Sequence, residues 1–147
     1  MKRILYSTFI VSAMIFSLTG CYKEGCMDAK ADNYDEDANT SDLSCEYSGS
    51  VYFWADPVVS DSLLNIEGHP ILRFELEGEI VDSVATQAFV ALEGSCGGSG
   101  QVTIKRTFAG NDDVWNYKYR VKGSGFITLY EGFVTIDHGE CVGVRLL

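Results

Sequence analysis

Histidine is almost missing from this chain. His69 and His138 are its two copies, they stand far apart, and no Cys-x-x-Cys spacing occurs. That speaks against a Cys/His zinc cluster and leaves any serine or cysteine nucleophile without an obvious base. Positive charge is scarce as well: 11 Lys and Arg face 21 Asp and Glu, for a net charge of −10. Such a balance argues against nucleic-acid binding and against docking onto anionic head groups. No segment carries the apolar period of a long amphipathic helix, which turns the reading away from helical folds. The glycine-rich stretch GSCGGSG at 94–100 lacks the lysine of a phosphate loop, the spacing of a dinucleotide turn and the flanks of a nucleophile elbow. It reads as a loop that lets a disulfide form near a sheet edge.

What the chain does contain begins at its N-terminus. Lys2 and Arg3 precede a charge-free run from Ile4 to Gly20, the pattern of a secretion signal over 1–20. An uncleaved span is disfavoured, because the run is short and holds three serines and two threonines. The run stops at Leu18-Thr19-Gly20-Cys21, which resembles the lipobox of bacterial lipoproteins at every position. The resemblance implies that Cys21 becomes the lipidated N-terminus of a mature chain with net charge −12. Two or three acyl chains hold a protein to a bilayer stably where one holds it marginally. Residues 21–25 then form a tether, in which Lys23-Glu24 resembles the signal that sends Bacteroidota lipoproteins to the outer face of the outer membrane. The expected location is therefore the outer membrane, lipid-anchored and facing outward.

Five cysteines are an odd number, and lipidation of Cys21 removes the oddness. Cys26, Cys45, Cys96 and Cys141 can pair in three ways. A short acidic segment encloses Cys26 and Cys45 alone, which favours Cys26–Cys45 with Cys96–Cys141. Disulfides imply an oxidising compartment.

Residues 26–47 form an acidic module: eight acids from Glu24 to Glu46 face Lys30. With few aliphatic side chains it must take its order from the disulfide, from Asx turns or from a cation. Asp35, Asp37, Asn39, Ser41 and Glu46 fall at positions 1, 3, 5, 7 and 12 of an EF-hand loop, so a weak calcium site is the expectation for these five. An EF-hand proper is not expected, since Thr40 stands where the turn needs glycine and no room precedes the loop for a full helix. Cys26, Asp28, Ala31, Asn33-Tyr34, Ala38, Asp42, Ser44-Cys45 and Tyr47 resemble a short repeat unit of secreted Bacteroidota proteins. Those units often carry glycine where this chain has Leu43. A looser resemblance is to the acidic calcium loops of thrombospondin type-three repeats.

From Gly49 to Leu147 short alternating runs are punctuated by glycine, which predicts an all-β, antiparallel β-sandwich of about seven to nine strands. The strands are expected near 50–55, 71–77, 79–84, 87–93, 101–107, 114–122, 126–130, 132–137 and 141–146, with 57–70 a loop holding at most one helical turn. Leu72, Phe74 and Leu76 oppose Arg73, Glu75 and Glu77, and Trp115, Tyr117, Tyr119 and Val121 oppose Asn116, Lys118, Arg120 and Lys122. One face is core and the other wet. Gly49-Ser50-Val51-Tyr52-Phe53-Trp54, the 96–100 loop, Tyr117 with Tyr119, and Gly132 to Ile136 resemble a C-terminal β domain of Bacteroidota lipoproteins and, more distantly, transthyretin-like or carboxypeptidase-regulatory sandwiches. In such domains two cysteines pair, in agreement with Cys96–Cys141. The FAGNDDVW stretch departs from that pattern.

No catalytic set emerges. Glu75, Glu77 and Glu79 alternate along a strand and read as a solvated face rather than a glycosidase pair. Lys105, Arg106, Lys118, Arg120 and Lys122 hold five of the seven bases of the domain and are the candidate ligand patch, for an anionic glycan or an envelope protein. Trp54 and Trp115 read as core. The expectation is a non-catalytic binding or structural module on an acidic stalk, with calcium as its one candidate cofactor. The alternative is an enzyme accessory or small hydrolase of the envelope.

Overall fold

Residues 22–109 and 114–147 are described by the computed structural model. The expected signal peptide 1–20, the lipidation site Cys21 and residues 110–113 lie outside the described residues. The chain divides between Cys45 and Glu46 into two units.

The first unit is ordered by the two devices its composition suits best. Asp28, Asp35 and Asp42 each accept a backbone N–H from two residues on, from Lys30, Asp37 and Ser44, at 2.9, 3.1 and 2.9 Å. These Asx turns give a chain without a core a local substitute for sheet and helix bonds. Cys26 and Cys45 are disulfide-bonded with Cα atoms 4.8 Å apart. The chain-entropy model assigns this closure about 3 kcal/mol. Two short strands, β1 (Glu24–Gly25) and β2 (Thr40–Ser41), pair in parallel.

The second unit is a β-sandwich. Its strands are β3 (Glu46–Trp54), β4 (Ile71–Leu76), β5 (Glu79–Ala85), β6 (Val102–Ala109), β7 (Val114–Lys122), β8 (Thr128–Asp137) and β9 (Cys141–Arg145). One sheet has the order β6-β3-β9 and the other β5-β4-β7-β8. The second is wholly antiparallel, whereas β9 runs parallel to β3, so the sandwich is mixed at one edge rather than antiparallel throughout. The parallel pair arises because the turn after β8 carries the chain across to the other sheet, where Glu140 accepts the N–H of Ser50 and Gly139 donates to Ser48.

Alternation places the core where the sequence puts it. Val51 and Phe53 of β3, Leu72, Phe74 and Leu76 of β4, Val121 of β7 and Ile136 of β8 are essentially solvent-free. The Phe53 ring lies 5.1 Å from Phe74 and 5.3 Å from Tyr119, and Phe74 is 5.4 Å from Phe89. Phe108 stacks on Trp115 at 3.7 Å.

Four expectations are corrected. The sandwich begins at Glu46 rather than Gly49, because Tyr47 is buried and pairs with Phe108 across β3 and β6. Residues 87–93 are not a strand: Phe89 and Ala91 alternate inward, but they plug one end of the sandwich, with Ala91 N–H donating to Ala55. Period-two burial reports which side chains are inside, not whether the backbone finds a ladder. The strands expected at 126–130 and 132–137 are one strand, β8, because Gly132 makes room for a ring instead of a turn; a Cβ there would lie 2.7 Å from Tyr119 Oη. Finally, 57–70 holds more than one helical turn: helix α1 (Pro57–Asp61) continues into a π-helical turn over Ser62–Ile66. Asp56 caps α1 by accepting N–H bonds from Val58 and Val59, with Pro57 at its first turn.

Two backbone positions yield predictions. Gly49 faces the opposite sheet so closely that a Cβ would sit 2.5 Å from Ile136 Cγ2 and 2.7 Å from the Asp137 carbonyl oxygen. Gly49→Ala should therefore destabilise the sandwich by about 2 kcal/mol, read as a lower urea midpoint at unchanged slope. Leu43 is exposed yet holds φ at 62°, a left-handed conformation that costs a side-chain-bearing residue about 1 kcal/mol. Leu43→Gly should raise the local stability of the first unit by about 0.5–1 kcal/mol, measured as slower amide exchange there.

Candidate functional site

The five candidate bases are divided between the sheets. Lys105 and Arg106 lie on β6, while Lys118, Arg120 and Lys122 lie on β7. Lys105 is exposed, but Arg106 stands opposite Gly49 in the inward register of Ile104 and Phe108, and its Nε is buried without a hydrogen-bond partner. Arg106 does not share a stripe with the β7 bases.

On the outer face of the four-stranded sheet the β7 bases meet acids at every step. Glu75, Arg120 and Glu131 stand directly opposite one another across β4, β7 and β8. Lys122 Nζ is 2.9 Å from Glu75 Oε1, and Arg120 Nη1 is 3.5 Å from Glu75 Oε2. Glu131 Oε2 is shared by Lys118 Nζ at 3.3 Å and Arg120 Nε at 3.4 Å. Cross-strand pairs of opposite charge stabilise a sheet at these spacings. Glu75 is 6% exposed, although the alternation assigns it to the wet side. The Lys122 ammonium beside it holds its carboxyl below the ordinary glutamate range, against the opposing pull of burial. Lys118 does the same for Glu131. Glu77 sits in the β4–β5 turn at φ 51°, followed by Gly78, and Glu79 opens β5, so the three glutamates are not one row. The signal that could have located the ladder is a lone acid on β4 facing three bases at i, i+2 and i+4 on β7.

The glycine-rich loop is a packed cover. A Cβ on Gly94 would fall 2.4 Å from both Trp54 Nε1 and the Tyr52 ring, and one on Gly143 would fall 2.5 Å from Tyr52. Backbone therefore lies directly on these rings, which only glycine permits. Cys96 and Cys141 are disulfide-bonded, tying the loop to β9. Arg145 lies over the Trp54 ring at 5.1 Å and pairs with Asp56 Oδ2 at 2.8 Å, fastening the last strand to the start of α1. Trp115 stacks inward on Phe108, whereas Trp54, expected as core, alternates with the buried Val51 and Phe53 and lies on the outer face of β3 beneath Gly94 and Arg145.

His69 is buried, and its Nδ1 accepts the N–H of Ser124 at 3.2 Å, holding the turn before β8. In the first unit the candidate calcium ligands take separate roles. Asp35 and Asp37 converge on the Lys23 ammonium at 2.8 and 3.3 Å. Asn39 Oδ1 accepts the Lys23 N–H at 3.1 Å, and Ser41 Oγ accepts from Leu43. Glu46 opens β3 in the second unit. Lys23 lowers the Asp35 carboxyl and is itself raised by Asp35. Among the described residues no group of three or more His, Cys, Asp or Glu side chains is arranged to hold a metal ion.

The ladder sets a pH dependence. Carboxyls held below their ordinary values stabilise the fold fully above those values and lose the contribution as pH falls through the folded ones. Stability should thus be flat near neutrality and drop below about pH 4. Glu75→Gln should cost about 2 kcal/mol at pH 7, the scale of a charge-assisted hydrogen bond, and should shrink the acid-side loss. Urea midpoints at pH 7 and pH 3.5 for both proteins check this.

Compared with protein-family models, curated proteins and solved structures, the chain matches none.

Proposed function

We propose that this chain is a lipoprotein of the outer membrane, anchored through Cys21 and facing outward, whose β-sandwich is a non-catalytic binding or structural module. The supporting observation is the cysteine inventory. Two disulfides, Cys26–Cys45 and Cys96–Cys141, account for four of five cysteines. The fifth, Cys21, ends a charge-free run in a sequence that resembles a lipobox. Two disulfides suit an oxidising compartment, the one to which such a signal delivers. Among the described residues no helix is long and apolar enough to cross a membrane.

The non-catalytic part of the reading is supported by where the reactive side chains are spent. Glu75 is held by Lys122 and Arg120, and His69 by Ser124, in roles that fix strands and turns. Calcium entering the acidic module would compete with the Lys23 ammonium for Asp35 and Asp37, and melting with and without chelator reads that competition.

Cys21→Ala tests the anchor. The variant should move from the membrane fraction to the soluble fraction of the envelope with unchanged melting, while protease added to intact cells should cleave the wild-type chain. A wild-type chain found soluble, or a variant retained in the membrane, contradicts the reading.

A further inference from the structure

One end of the sandwich gathers exposed apolar side chains on a rigid frame. It is built from the segment between β3 and β4, the segment between β5 and β6, and the turn between β7 and β8. Hydrogen bonds bind these pieces together. Ala91 donates to Ala55, Thr86 to Pro70, Ser60 Oγ to the Thr86 carbonyl, and Ser124 Oγ to the Gly68 carbonyl. Leu63, Phe89 and Leu146 fill the space beneath. On this frame Val58, Ile66 and Leu92 are 79%, 79% and 82% exposed, and Phe126 and Ile127 each 59%. Apolar side chains held open by a well-packed scaffold are a mark of recognition surfaces. The chain enters β3 at the opposite end of the sandwich, at Glu46.

Charge names the occupant. The segments 55–70, 86–101 and 123–127 contain no lysine or arginine, and they carry Asp56, Asp61, Glu67 and Glu93. Asp56 is taken by Arg145. Asp61 accepts from the neutral Asn65 amide, Glu67 accepts from the Ser62 hydroxyl and lies 3.7 Å from His69, and among the described residues neither meets a lysine or arginine; with Glu93 they rim the apolar side chains with negative charge. An anionic lipid surface would meet these carboxylates, while the bases at this end are engaged, Arg73 by the Phe126 ring and the Gly123 carbonyl and Arg145 by Asp56. A second copy of this chain would oppose acid to acid. A sugar would need a free aromatic face, yet the Phe126 ring is covered by the Arg73 guanidinium at 4.8 Å and Trp54 lies under Gly94.

We infer that this end docks a protein whose apolar contact patch is bordered by lysine and arginine. The inference deepens the binding-module reading and rests on it; it does not rest on the anchor. The apolar side chains supply the buried contact and the carboxylates supply orientation and encounter rate.

The test uses the full chain in its native cells, with photoreactive benzoylphenylalanine placed at Ile66 or Leu92, and at Phe133 on the sheet face as control. The account expects one protein crosslinked from Ile66 and Leu92 but not from Phe133, through a peptide containing lysine or arginine. Glu67→Lys with Glu93→Lys, checked for unchanged melting, should weaken binding of that purified protein on the order of tenfold. Crosslinking to a second copy, equal capture at Phe133, no capture, or indifference to charge reversal would each overturn it. So would flotation of the Cys21→Ala chain with vesicles of phosphatidylethanolamine and phosphatidylglycerol. A wild-type chain found soluble, or a Cys21→Ala chain retained in the membrane, with crosslinking from Ile66 and Leu92 intact, would sink the lipoprotein reading and leave this one standing.

Discussion

Strand β3 is the constraint on which the sandwich depends. It is the central strand of its sheet, hydrogen-bonded to β6 on one side and β9 on the other, and its inward residues Val51 and Phe53 are wholly buried. Burial of a side chain of this size stabilises a fold by roughly 2 kcal/mol, and Phe53 adds ring contacts to Phe74 and Tyr119 in the facing sheet. Gly49 on the same strand lets the two sheets approach at one end. On its outer face Tyr52 and Trp54 form the floor on which the glycine-rich loop rests. A disturbance of β3 therefore reaches both sheet neighbours and the loop at once.

The loops are fastened by unlike means that share one consequence, a rigid end. Cys96–Cys141 closes a sequence separation of 45 residues, for which the chain-entropy model gives about 4 kcal/mol. Asp56 both caps α1 and receives Arg145, so one carboxylate joins a helix start to the last strand; its pKa lies below the ordinary range, with the Val59 N–H as the first cause and Arg145 next. His69 and Thr86 tie the remaining turns through backbone partners. Preorganisation of this kind lowers the ordering cost of binding.

Much of this fold is legible in the residues. Alternation in ILRFEL and WNYKYRV names the inward faces correctly, and the enclosed acidic segment singles out the pairing that the structure has. What stays hidden follows from physics that single-chain patterns do not encode. Gly132 carries no local mark that separates a turn from a place where a neighbouring ring must lie. Phe89 and Ala91 alternate like a strand because the end of a sandwich is a half-buried surface too. The parallel pairing of β9 depends on which edge is open when the chain returns, and no property of CVGVR states it. Asp56-Pro57, by contrast, is a readable helix start. At the candidate site, the bases of β7 are visible in sequence but their neutralisation is not, since Glu75 and Glu131 come from distant strands. Lys23 is equally hidden: it reads as part of a tether, and it holds Asp35 and Asp37.

The proposed anchor would join this domain to a membrane through one sulfur, that of Cys21. The acidic unit lies between Cys21 and the sandwich in the chain, closed by its own disulfide and its Asx turns, so order begins within a few residues of Cys21. The most direct test is the intact mass of the protein taken from its native membrane, before and after reduction. The account predicts a chain beginning at Cys21 with a diacylglyceryl thioether and two disulfides; a chain beginning at Met1, or residue 21 carrying no lipid, would contradict it.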